Sequence, residues 1–254
     1  MTVLLPQSLF RLCLAALGCL GLPLANAAAP ETIDNPSKYE LVYFGLQQQN
    51  PPVSKVKAHD KYFWVYDGVV APTIHSLLFL QHIKIISGEE MLDIGTGSGI
   101  QSVFAADKAR RIVATDIDPK SVENARYNID RHGLDHIVSV RQGDMFAPIK
   151  QDEKFDVILF NVIYPFNNQS QHLWTLHERF FSEVKNYLKP NGRIYYQSGY
   201  IDNISRIKAI VEQNGLQIIE MNMVAMLKDA KWTSCSYGMG RRFASSSARS
   251  RTAR

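Results

Sequence analysis

The sequence predicts an α/β fold: a mostly parallel sheet of seven strands with helices on both faces. Three observations carry that prediction. From residue 88 onward, short apolar runs alternate with segments of helical pattern, the signature of successive right-handed βαβ units. The best of these runs, Phe155 to Phe160, is apolar almost throughout, as a strand covered on both faces is. The chain has 254 residues and is 46% hydrophobic, enough for one large domain with extensions.

Glu90 to Ile94 is the first strand and runs into Gly95-Thr-Gly-Ser-Gly99. Ile100 to Ala109 follows as a helix, with Val103, Phe104 and Ala106 inward. Ile112 to Thr115 is the second strand. Asp118 is a suitable N-cap with Pro119 at the first helical position, and that helix runs to about His132, where Gly133 stops it. Ile137 to Val140 and Phe155 to Phe160 are the third and fourth strands. A helix from about His172 to Leu188, with Trp174, Phe180 and Phe181 on its core stripe, ends at Lys189-Pro-Asn-Gly192. Arg193 to Gln197 is the fifth strand. A helix from Asn203 to Asn214 ends at Gly215 and is followed by Leu216–Met223 and Ser234–Tyr237 as the last two strands, joined by a polar stretch around residues 228–231. Upstream, Glu31 to Pro52 reads as a polar arm, Tyr62 to Tyr66 as an aromatic strand, and Thr73 to Ile86 as a helix leading into the sheet.

The two ends read differently from this body. Residues 1–27 hold Arg11, an uncharged run from Leu12 to Leu24, and Ala25-Asn26-Ala27. That is the pattern of a secretory signal peptide cleaved after Ala27. An uncleaved membrane anchor is the alternative, with Pro23 and Asn26 against it. The net charge of +4 belongs to the other end. Residues 241–254 hold five Arg and no acid, so residues 1–240 carry −1. The body therefore has no bulk electrostatic footprint for nucleic acid, and the Ser/Ala/Arg tail is expected to be disordered. Cys13 and Cys19 lie in the leader and leave Cys235 alone in the mature chain. That excludes an internal disulfide and a cysteine metal site there, and the His residues show no metal spacing.

The ends of the strands carry the chemistry, because an open α/β sheet binds its ligand beyond their carboxyl ends. Asp93 and the glycine loop follow the first strand. Asp116 ends the second, where a carboxylate can take both hydroxyls of a ribose. Asp144 and Met145 follow the third, where an acid and an apolar side chain can bracket an adenine. Asn161 ends the fourth, in the stretch LFNVIYPF. A glycine loop alone is a weak signal; four consecutive strands ending in suitable groups are a stronger one.

With these residues the stretch from about Glu90 to Pro165 resembles the core of a class I S-adenosylmethionine-dependent methyltransferase. The D-x-G-x-G-x-G loop differs from the G-x-G-x-x-G of nicotinamide enzymes. Val113-Ala-Thr-Asp-Ile-Asp-Pro119 and Ala125-Arg-Tyr-Asn128 are similar to the small-domain members, which include release-factor glutamine-N5 and rRNA guanine-N2 methyltransferases. The resemblance implies a Rossmann-like sheet of order 3-2-1-4-5-7-6 and S-adenosyl-L-methionine as cofactor. It assigns Asp93, Gly95, Thr96, Gly97 and Gly99 to the methionine portion. Asp116, with Ile117 beside it, falls to the ribose, and Asp144 with Met145 to the adenine.

The family's catalytic loop is Asn-Pro-Pro-Tyr. This chain keeps Asn161 and Tyr164 as the catalytic candidates but has Val162 and Ile163 where the prolines belong. Upstream, Pro72-Thr-Ile-His75-Ser76 stands where the family has Pro-x-x-Asp-Thr, so His75 replaces an acid near the substrate mouth. Lys61, Asp67, Tyr62, Trp64 and Tyr66 are candidates for the same mouth, with core packing as the alternative for the aromatics.

The expectation is a metal-free methyltransferase acting on an amine or amide nitrogen of a protein or a small molecule. The rival is an exported cofactor-binding protein without turnover. The expected organisation is a signal peptide or anchor at 1–27, an arm and substrate-side extension at 28–88, a methyltransferase domain at 89–243 and a basic tail at 244–254. The leader implies export to the periplasm or association with the membrane, and a cytoplasmic protein if it is not used.

Overall fold

Alternation along each strand sends successive side chains to opposite faces of the sheet, and both faces are covered. In strand β5 (Glu90–Ile94) Met91 joins the core on one side, while Leu92 and Ile94 join the core on the other; in β8 (Phe155–Phe160) Val157 and Leu159 oppose Ile158 and Phe160 in the same way. The computed structural model describes residues 31–32, 41–47, 53–165, 170–199, 201–225 and 233–241. The leader at 1–27, the tail at 244–254 and the polar stretch at 228–231 lie outside them.

The elements run β1 (Glu31–Thr32), β2 (Leu41–Gln47), β3 (Val53–Ala58), β4 (Lys61–Tyr66), α1 (Ile74–His82), β5, α2 (Ile100–Ala105), β6 (Arg111–Asp116), α3 (Pro119–Arg131), β7 (Val138–Gln142), β8, α4 (Gln171–Glu183), β9 (Leu188–Ser198), α5 (Ile204–Gln213), β10 (Leu216–Ala225) and β11 (Thr233–Arg241). The large sheet has the order β7-β6-β5-β8-β9-β11-β10-β1. Counting from β5 as the first strand, this is the expected 3-2-1-4-5-7-6, with the two-residue β1 added in parallel at the edge of β10. Only β11 runs against its neighbours. The chain order reverses between β5 and β8, so the carboxyl ends of β5, β6, β7 and β8 open onto one crevice.

Helices α4 and α5 cover one face. There Trp174, Phe180 and Phe181 are fully buried with Phe160 and Tyr196, each such ring contributing about 2–3 kcal/mol by burial. Helices α1, α2 and α3 cover the other face. Asp118 caps α3 as expected, accepting from the backbone N–H of Lys120 and Ser121.

Three differences from the sequence reading have physical causes. Residues 41–58, read within a polar arm and its approach, form β2 and β3, which with β4 make a separate three-stranded antiparallel sheet. A bulge between Tyr43 and Leu46 breaks the period-two pattern that would have marked β2. The expected long helix to Leu188 instead stops at Glu183, passes through a 3-10 turn at Val184–Asn186, and gives way to β9 five residues early. Lys189-Pro-Asn-Gly192 lies inside that strand. A register shift opposite Phe155 and Val157 absorbs it, and a Cβ at Gly192 would meet the Phe155 carbonyl oxygen at 2.9 Å. Finally, α2 ends at Ala105 rather than Ala109.

The small sheet is fastened to the large one by two asparagines one turn apart on α3, both fully buried. Asn128 Oδ1 accepts from Trp64 N at 2.9 Å, and its Nδ2 donates to the Trp64 and Ser98 carbonyls at 2.8 Å each. Asn124 accepts from Tyr66 N at 3.1 Å and donates to Trp64 O at 2.7 Å. The free edge of β4 thus has its ladder completed by side chains, and Asn128 ties that edge directly to the glycine loop.

Candidate active site

The turn after β5 needs backbone that only glycine adopts readily. Gly95, Gly97 and Gly99 all have positive φ, at 72°, 55° and 84°. Close approach adds to this: a Cβ at Gly95 would lie 2.4 Å from Val162 Cγ1, so the loop after β5 and the loop after β8 touch where glycine leaves room. The backbone N–H groups of Gly95 and Thr96 donate to the Thr115 carbonyl at 2.8 and 3.0 Å. Gly97 N–H donates to Asp116 Oδ2 at 2.9 Å, and Asp116 Oδ1 accepts from Asp118 N at 3.1 Å.

These loops enclose a cavity of about 630 Å³, within the usual range for a small-molecule site. Its wall contains Gly95, Thr96, Gly97, Asp116, Ile117, Asp144, Met145, Asn161 and Tyr164. Nine of the eleven residues singled out from the sequence therefore meet on one surface, although they come from four separate strand ends.

The other two, Asp93 and Gly99, lie behind the loop and do not line the cavity. Asp93 is 1% exposed and lies beneath the loop, where its Oδ2 accepts from the hydroxyls of Thr96 and Ser102 at 2.8 Å each. Burial pushes its carboxyl up to about 6; the two hydroxyls oppose that rise and the charge of Asp116 adds to it. Asp93 thus braces the loop from below. Gly99 begins α2 and brings it close to α3: a Cβ there would touch Ala125 at 3.5 Å.

Three further placements refine the reading. Asp144 is held by Arg179 of α4, Nη2 to Oδ1 at 2.6 Å. Met145 takes a positive φ of 53° while 95% buried, a strained conformation of the kind found where a side chain is held for a ligand. Asn161 is half-buried, and its amide has no hydrogen-bond partner among the described residues. Tyr164 faces His75, with ring centroids 6.2 Å apart.

His75 is on the wall together with Thr73 and Ser76. Thr73 caps α1 in a reciprocal pair with Ser76, which is the local reason the chain turns toward the cavity here. Burial lowers the His75 imidazole below its ordinary range, so it is neutral at pH 7. By contrast, Lys61, Tyr62, Trp64, Tyr66 and Asp67 are not on the wall. The aromatics belong to β4, where Trp64 and Tyr66 pack on Tyr127. The sequence reading missed Thr115, Gln101 and Leu176, which also line the cavity. Thr115 follows directly from the parallel sheet, since it precedes Asp116 at a strand end. Gln101 and Leu176 sit on helices and carry no local signal. Among the described residues no group of three or more His, Cys, Asp or Glu is placed to hold a metal ion, and no helix is long and apolar enough to cross a membrane.

The family model described as a methyltransferase domain matches residues 85–237. The ribosomal protein L11 methyltransferase of Alkaliphilus oremlandii is 32% identical over 133 residues, covering 52% of this chain and 38% of that protein. The putative protein N5-glutamine methyltransferase of Methanocaldococcus jannaschii is 30% identical over 153 residues, covering 54% of this chain and 72% of that protein. Among solved structures, a tRNA methyltransferase from the same archaeon superposes with a TM-score of 0.62 at 18% identity, over 77% of this chain and 59% of that one. The ribosomal protein L11 methylase of Lactobacillus delbrueckii gives 0.55 at 19%, over 70% and 84%. Those two likenesses speak to the fold. The chain belongs to the methyltransferase-domain family, whose class I members use S-adenosyl-L-methionine. It spans less than half the length of the L11 methyltransferases it matches.

The residues present fit that cofactor. Asp116 and Asp144 place two carboxylates on the wall, acceptors of the kind that a diol and an exocyclic amine would need. Ile117 is 65% exposed at the same wall, apolar area that a flat ring would cover. Thr115 is buried at the base of the same wall, where its carbonyl holds the glycine loop. When bound, the cofactor supplies an electrophilic methyl group on a sulfonium.

Proposed function

We propose that the protein transfers a methyl group from S-adenosylmethionine to an amide or amine nitrogen of a protein. The observation that carries this reading is Asn161: a polar amide without a partner among the described residues, on the same wall as the glycine loop and Asp116. An amide nitrogen is a poor nucleophile because its lone pair is delocalised. The Asn161 side-chain oxygen can accept one of its N–H bonds and turn the nitrogen toward the methyl, so that most of the gain is orientation. The Tyr164 ring offers a face for a planar group and for positive charge. Two of the relatives are named for protein acceptors, ribosomal protein L11 and a protein glutamine. The body's charge of −1 does not favour a nucleic-acid acceptor.

The test uses methyl-labelled cofactor and a bacterial extract enriched in ribosomal proteins, with the labelled residue identified by mass spectrometry. Label on a side-chain or terminal nitrogen of a protein is the expected result. Cofactor binding with no transferred label, or label on RNA, contradicts it.

Support for the rival reading, binding without turnover, is confined to the leader pattern and the two missing prolines. We also propose that the protein is exported or held at the membrane by residues 1–27, on the basis of Arg11, the apolar run and Ala25-Asn26-Ala27. N-terminal sequencing of native material is expected to begin at Ala28; a soluble cytosolic protein still carrying Thr2 contradicts export.

A further inference from the structure

The loop after β8 lacks the prolines that would stiffen it, yet its backbone is held at two points by buried side chains. Ile163 C=O accepts from His177 Nε2 at 3.0 Å. Pro165 C=O accepts from Asn203 Nδ2 at 2.7 Å. His177 is 0% exposed and Asn203 1%, so both donors are withdrawn from water. The two side chains come from different elements, α4 and the turn entering α5, and both elements are fixed by the aromatic core.

The chemistry of the partners defines the state of His177. A carbonyl oxygen only accepts, so Nε2 carries the proton. Nδ1 lies 2.8 Å from Tyr196 Oη; on a neutral ring Nδ1 is a lone pair, so Tyr196 donates. Burial lowers the imidazole to about 4, which agrees with a neutral ring. Its orientation is set by edge contacts with Phe160 and Tyr196, at 5.2 and 5.4 Å between ring centroids and 85° in each case. A hydrogen-bonded line thus runs from β9 through Tyr196 and His177 to the loop. A third hold acts on the ring of Tyr164. It lies so close to Gly199 that a Cβ there would stand 2.0–2.5 Å from its Cε2, Cζ and Oη.

We propose that His177 and Asn203 are positioning residues for methyl transfer: in place of the prolines, they clamp the backbone from Asn161 to Pro165 so that Asn161 and Tyr164 face the cavity together, with Gly199 leaving the space in which Tyr164 sits. This rests on the reading that the loop grips the acceptor nitrogen. A proline fixes its own φ and removes a donor; a buried donor on the following carbonyl reaches the same end from outside the loop. The arrangement also explains why Val162 and Ile163 are tolerated, since both keep an N–H and φ freedom that the clamp takes up.

The test needs no methyl acceptor, so its outcome is separate from that of the acceptor assay. In the full-length chain, hydrogen exchange of the amides of Val162, Ile163 and Tyr164 is followed in wild type, His177→Ala, His177→Gln and Asn203→Ala. Calorimetric affinity for S-adenosylhomocysteine is measured beside it. The expected result is at least tenfold faster exchange at 162–164 in the two alanine variants, with β8 amides 156–160 unchanged. Partial rescue is expected in His177→Gln, whose amide can still donate, and cofactor affinity should move less than threefold. Gly199→Ala should displace Tyr164 and speed exchange there alone. Unchanged exchange at 162–164 in both alanine variants overturns the proposal. Should those variants fail to fold, nitrogen-15 NMR of wild-type His177 decides. The neutral Nε2–H tautomer at pH 6–7 supports the clamp, whereas a protonated ring or the Nδ1–H tautomer overturns it.

Discussion

Asp93 shows how a buried side chain can brace the loop of a site. Its carboxylate is buried under the glycine loop, and its pKa in the fold, about 6, stands above the 3.8 of an ordinary aspartate. A raised pKa means that the fold favours the protonated form. The stability linked to Asp93 is therefore complete below pH 3.8 and is lost as pH rises through about 6, a cost of about 3 kcal/mol at neutral pH. Asp93→Asn keeps an oxygen for Thr96 and Ser102 without the charge. It is expected to unfold at a higher temperature than wild type at pH 8 and at nearly the same temperature at pH 4; equal melting at both values contradicts the assignment. Asp116 differs because it lines the cavity. Asp116→Ala should weaken S-adenosylmethionine binding by about 2 kcal/mol or more, partly through the lost charged acceptor and partly because Gly97 N–H loses its partner. Calorimetry that finds equal affinity removes the role. Asp116 was legible in the sequence because a carboxylate at a strand end has one obvious use. The burial of Asp93 was not, because the sequence shows that the residue ends a strand but not whether its side chain points over the loop or under it.

At the scale of elements, the parallel strands were the easiest to read and the small sheet the hardest. β5 and β8 coincide with their expected limits because strands buried on both faces are apolar at most positions. β2 and β3 escaped because one face is solvent-exposed and a bulge interrupts the alternation. The link between the two sheets was also hidden. Asn124 and Asn128 carry no local signal of burial, yet both are buried and complete the ladder of β4. Asn128→Leu leaves Trp64 N without its partner and removes a donor from the carbonyl of Ser98. A destabilisation of about 2–4 kcal/mol is expected from buried groups left unpaired. Chemical denaturation measures it, and a loss below about 1 kcal/mol would show that the small sheet is held by packing alone.

For the molecule as a whole, the largest charge network lies away from the cavity. The carboxyl ends form the cavity. Around the amino ends of β5, β6 and β9 lies a network in which Glu153 binds Arg111 and Arg141 at 2.7 and 2.6 Å, Arg141 reaching it from near the carboxyl end of β7, while Glu90 joins Arg110, Arg111 and Lys189. The Arg141 guanidinium, with Arg111 beside it, holds the Glu153 carboxyl down at about 2. A lowered pKa puts that stability above pH 4.5 and removes it as pH falls toward 2. Glu153→Gln should therefore be less stable than wild type at pH 7, on the order of 1–2 kcal/mol after allowance for solvent screening, and the two should converge near pH 2. Parallel melting curves across that range contradict it. None of this network could be read in the sequence, because its members come from β5, β6, β7, the loop before β8 and β9, and only the closed sheet brings them together.

If Asn161 orients an acceptor nitrogen, its loss separates turnover from cofactor binding. Methyl transfer by wild type and Asn161→Ala is measured at saturating S-adenosylmethionine on the acceptor found in the labelled extract, with cofactor affinity measured in parallel. The account predicts that transfer falls by an amount equivalent to about 2–4 kcal/mol in the transition state, while affinity changes little. Tyr164→Phe should retain far more activity than Tyr164→Ala, since packing needs the ring and not the hydroxyl. Unchanged turnover in Asn161→Ala would contradict the account, and would leave LFNVIYPF as the end of a core strand that happens to contain an asparagine.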